Sequence, residues 1–126
     1  MPTLIELREE LADLLEDATG IPTVAYLPER PVPPMALISQ GSPYIQYEDT
    51  NVFNSELMVR LRVDLVVATA TNTVSFDRLD EVIEFAVAGL LASDWFIDTV
   101  SAPYSLNANN ANYLTVTLNV TKPKAF

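Results

Sequence analysis

Apolar and polar positions along this chain follow two different periods, and the change of period divides it into elements. Leu4, Leu7, Leu11, Leu14, Leu15 and Ala18 recur at helical spacing and form one stripe. Thr3 and Glu6 make a capping box at its start, and Gly20 stands where a C′ glycine ends a helix. The spacing therefore predicts a helix from Thr3 to about residue 18. Its other face carries Glu6, Glu9, Glu10, Asp13, Glu16 and Asp17 against Arg8 alone, the composition of a solvated face.

Period two takes over at "VRLRVDLVV". Val59, Leu61, Val63, Leu65 and Val67 alternate with Arg60, Arg62 and Asp64, which reads as a strand over about 55–69 with one buried face and one charged face. Fifteen residues span roughly 50 Å. A domain of this length has a diameter near 36 Å, so the strand either bends or reaches past the body. A second helical stripe follows: Phe76, Leu79, Ile83, Ala86 and Leu90, flanked by Val82 and Val87, with Asn72 to Ser75 as N-cap candidates. Residues 95–101 read as a strand and "APYSLNANNAN" as a loop. Residues 113–122 form a last strand, with Leu114, Val116, Leu118 and Val120 on its apolar side.

Between the first helix and the long strand, residues 21–43 hold six of the nine prolines. Proline supplies no ladder donor, so only two short strands are expected there, at 23–26 and 35–39. Gly41 and Pro43 are read as ending the second one. A long polar-aromatic loop then covers about 41–55, and a short basic tail covers 121–126. The order is α-β-β-β-α-β-β. It predicts one α+β domain over 1–126, with a four- to five-stranded, mostly antiparallel or mixed sheet and two helices packed on one face.

Leu, Ile, Val and Phe supply 40 of the 126 residues, enough for a hydrophobic core. Neither an apolar run of membrane-spanning length nor the pattern of a secretory signal peptide is present. Histidine and cysteine are absent. That excludes a disulfide framework, a zinc site of N/S ligands, and Ser-His or Cys-His catalysis. The carboxylates Asp77, Asp80, Glu81 and Glu84 lie mostly off the apolar stripe of their helix and read as solvated. No phosphate-cradling loop can be built from three glycines at 20, 41 and 89. No catalytic, cofactor-binding or metal-binding residue is expected. The net charge of −10 also argues against gripping nucleic acid by its phosphates.

What remains are interaction candidates. Tyr44, Tyr47 and Phe53, with Glu48 and Asp49, place exposed aromatics and acids in the long loop. Arg60 and Arg62 stand together on the polar side of the long strand. Lys122 and Lys124, the only lysines, lie in the tail. A small acidic domain with long connectors and no chemistry reads as an assembly protein.

In layout the chain resembles the tail terminator proteins of long, non-contractile-tailed bacteriophages. The leading helix, the Pro-rich entry to "ALISQG", the loop with "YIQYEDT", the strand "ELMVRLRVDLVVA", the helix with "LDEVIEFAVAGL" and the ending "VSAPYSLNANNANYLTVTLNV" carry the likeness nearly end to end. The resemblance implies a virion protein that forms a hexameric ring on the head-proximal end of the tail tube. Such a ring stops tube polymerisation and docks to the head connector, with DNA passing through its channel. Its partners would be copies of itself, the tube protein and the connector. An acidic channel wall would repel phosphates and keep the DNA mobile. Two other readings are another neck or tail-tube protein of the same virion, and a monomeric acidic adaptor for a basic partner.

Overall fold

The computed structural model describes residues 3–25, 32–46, 56–68, 72–108 and 111–126. Its elements are α1 (Leu4–Thr19), β1 (Thr23–Val24), β2 (Met35–Gln46), β3 (Glu56–Ala68), α2 (Asn72–Leu91), β4 (Phe96–Val100), β5 (Tyr104–Ala108) and β6 (Ala111–Ala125). The fold is α+β. Its sheet has six strands rather than four or five, in the order β1-β2-β3-β6-β4, with β5 also paired to β6. Only β1 and β2 run parallel, so the sheet is mixed.

The capping box forms as expected. Thr3 accepts a hydrogen bond from the Glu6 N–H at 3.1 Å, and Gly20 closes α1 at φ 73°. Leu7, Leu11 and Leu15 are buried, with Leu4 and Leu14 packed beside them. In α2 the buried stripe is Leu79, Val82, Ala86 and Leu90, and Phe76 lies outside it at 45% exposure. Helix α2 already begins at Asn72, so Ser75 is not a cap. It is buried in the first turn and donates to the Ala68 carbonyl at 3.3 Å.

Both helices share one core with the apolar side of the sheet, in which Val59, Leu61, Val63 and Leu65 of β3 alternate against Val116, Leu118 and Val120 of β6. The two helices meet at Gly89, where an added Cβ would lie 2.6 Å from the Ala18 Cβ. Strand β3 keeps an unbroken register with β6 over its whole length, from Glu56↔Ala125 to Ala68↔Tyr113. The long strand is paired along its whole length, because β6 is longer still, at 15 residues against 13.

Three expectations are corrected. Gly41 and Pro43 do not end β2. The strand runs on to Gln46 through a register shift between Gln40 and Ile45, where the missing proline donor has no ladder bond to break. The segment read as a loop after residue 101 contains β5, whose polar side chains suit a strand that pairs only with β6. Residues 121–125 are not a tail, since they continue β6 against β3. In that position Lys122 points to the helix side and reaches both carboxylate oxygens of Glu10 on α1, at 2.9 and 3.0 Å. Its ammonium also lies 5.5 Å from the centroid of the Trp95 ring. Lys122→Met keeps the stem and removes the charge. It should lower stability by about 1 kcal/mol, measured by urea unfolding followed at Trp95.

Candidate interaction surface

Alternation places Arg60, Arg62 and Asp64 on the side of the sheet that faces away from both helices. Register then orders that side into rows. One row holds Ser101, Thr117, Asp64 and Leu37, the next Thr99, Asn119, Arg62 and Ser39, and the next Phe96, Thr121 and Arg60, with Gly41 packed against Arg60.

At one end of these rows the sheet has a small second core, in which Met35, Leu37 and Val66 are buried and Val24 and Tyr113 pack on them. In the middle is a hydrogen-bonded polar chain. The Arg62 Nη2 donates to the Tyr104 hydroxyl at 3.3 Å, the Tyr104 and Thr117 hydroxyls lie 2.8 Å apart, and Thr117 donates to Asp64 Oδ1 at 2.6 Å. The Arg62 Nε donates to the same carboxylate oxygen at 3.2 Å, closing the loop. The Asp64 carboxylate raises the Arg62 pKa above its ordinary value, so the guanidinium stays charged at any working pH. Tyr104 thus fastens β5 over β6, and no sequence period pointed to it.

At the far end Phe96 is exposed, Arg60 is half-buried and Thr121 between them is buried. The Arg60 Nε is buried without a hydrogen-bond partner, and its guanidinium makes no ion pair among the described residues. Phe96 is in the same row, two strands away, and is 60% exposed. Asp98, the nearby acid on β4, is already bonded to the Thr121 hydroxyl.

The sequence candidates separate on this geometry. Arg60 and Arg62 do share a face, but Arg62 is committed to Asp64 while Arg60 is not. Tyr44 lies in β2 rather than a loop and packs partly buried against the main core of its own chain. Tyr47, Glu48, Asp49 and Phe53 lie outside the described residues. Lys122 is held by Glu10, and the Lys124 ammonium donates to the Ala125 carbonyl at 2.9 Å, 4.0 Å from the Phe126 ring centroid. Phe96 was missed as an interaction residue, because in the sequence it is one apolar position of a short strand.

Among the described residues no group of acids is placed to hold a metal ion, and no helix is long and apolar enough to cross a membrane. No protein-family profile and no curated protein sequence matches the chain.

Proposed function

We propose that this protein is a structural component of a phage virion that caps the head-proximal end of the tail tube as a homohexameric ring. It ends tube polymerisation there and presents the surface on which the head connector docks. The carrying observation is a sheet with one side filled by both helices and the other ending in a half-buried arginine, with no ion pair among the described residues, and an exposed phenylalanine. Arginine and aromatic residues together are the usual anchors of protein interfaces. The end-to-end likeness in element order to tail terminators supports the reading, as does a composition without histidine or cysteine, which suits assembly better than catalysis. The net charge of −10 fits a ring through which DNA slides without sticking.

The test is to add the purified protein to polymerising tube protein and to count tube lengths and protein copies by electron microscopy. Tubes should stop growing and carry one ring at one end. Incorporation in many copies along the tube would instead identify a tube protein, and no effect on length together with binding to a basic partner would identify an acidic adaptor.

A further inference from the structure

We propose that the Arg60–Phe96 strip of the sheet docks the outward face of α1 from a second copy of this chain. The inference deepens the ring reading and rests on it for the number of subunits alone.

Arg8 and Arg60 form no ion pair among the described residues, and each has a buried Nε without a hydrogen-bond partner; Arg60 is the one on the sheet. Among the described side chains, the acids of its own side are engaged, Asp64 by Arg62 and Thr117, and Asp98 by Thr121. A guanidinium buried at Nε and unpaired carries a desolvation cost that an incoming carboxylate would offset.

Unpaired carboxylates are available on α1. Glu10 is bound to Lys122, and Glu6 accepts from the Thr3 hydroxyl at 3.2 Å. Glu9, Asp13, Glu16 and Asp17 are exposed and form no ion pair among the described residues. They lie one turn apart along the helix. Helix α2 also exposes Asp77, Asp80 and Glu84, but Arg78, exposed and paired with Glu81, stands among them and makes that face less negative.

Size and position agree. A 16-residue helix is about 24 Å long, enough to lie across β2, β3, β6 and β4, which together span about 14 Å. Helix α1 sits on one side of the sheet and the arginine strip on the other. The two patches therefore cannot meet within one molecule, and the contact they make is head-to-tail. A repeated head-to-tail contact closes into a ring when its rotation permits.

The experiment is sedimentation of the purified chain over a concentration series, at low and high salt, with folding checked by Trp95 fluorescence. The wild type should associate at low salt, and association should weaken as screening increases. Arg60→Glu should weaken association at least about tenfold, and Asp13→Arg, an exposed substitution with little reason to perturb folding, should do the same. Combining Arg60→Glu with Asp13→Arg should recover most of the loss. A wild type that stays monomeric to millimolar concentration at low salt, folded single variants that associate like the wild type, or a combination no better than the singles would each overturn the proposal. If rescue succeeds while tubes remain uncapped, the contact stands and the tail-terminator reading fails.

Discussion

Placing valine at position 89 should lower the free energy of unfolding by roughly 3 kcal/mol, the upper end of what overpacking costs. The reason lies where the helices cross. A Cβ on residue 89 would stand 2.6 Å from the Ala18 Cβ, a distance that carbon atoms do not share, and neither atom is the far end of a flexible chain. Either α1 or α2 must lift, and both anchor the one core. Urea unfolding read at Trp95 gives the loss directly, and the melting temperature should fall by about 10 °C. Gly89→Ala is the finer probe. It gains up to about 1 kcal/mol of helix propensity and meets the same overlap. Ala18→Gly relieves that overlap, so the double variant should be more stable than the two single changes predict by about 1 kcal/mol. A valine variant as stable as the parent would mean that the helices do not touch there.

Asp64→Ala carries the second large effect, an expected loss of about 2–3 kcal/mol. The carboxylate accepts from Thr117 at 2.6 Å and from Arg62 at 3.2 Å, and its side chain is only 17% exposed. Removing it takes the charged acceptor from both the buried Thr117 hydroxyl and the Arg62 guanidinium, which keep only their neutral contacts with Tyr104 and each other. Arg62→Ala should cost under about 1 kcal/mol, because the Arg62 side chain is 46% exposed and Thr117 keeps its bond to the acid. Denaturant titration of the two variants side by side shows the asymmetry. Equal losses would mean that the ion pair, rather than the hydroxyl contacts, holds β5 over the sheet.

Elements with a strong period were legible in the sequence. The capping box at Thr3, the Gly20 stop and the alternation through β3 appear where the apolar spacing puts them, because local sterics and burial act on the same residues there. Gly41 and Pro43 misled because a strand can absorb both at a register shift, and that tolerance is set by β3 rather than by β2 itself. Lys122 read as part of a loose end because its partners, Glu10 and Trp95, come from α1 and the start of β4. Arg60 and Arg62 looked equivalent in sequence. Asp64, two residues on, pairs with Arg62, and Tyr104 and Thr117, distant along the chain, complete the network that fixes it. Apart from the Arg62–Asp64 pair, the contacts that decide these cases are long-range, and no local window contains them.

Strand β6 has an implication for how the protein is made. It pairs with β3, β4 and β5, so the middle of the sheet cannot form until this strand, which follows the other five in sequence, has been synthesised. Until then the β2–β3 pair can form, but β3 has an unpaired edge, and α1 and α2 have only part of the surface they cover. A nascent chain in that state exposes an apolar strand and relies on the speed of synthesis, or on a chaperone, to avoid pairing with its neighbours. The step that completes the sheet is the insertion of β6 between β3 on one side and β4 and β5 on the other.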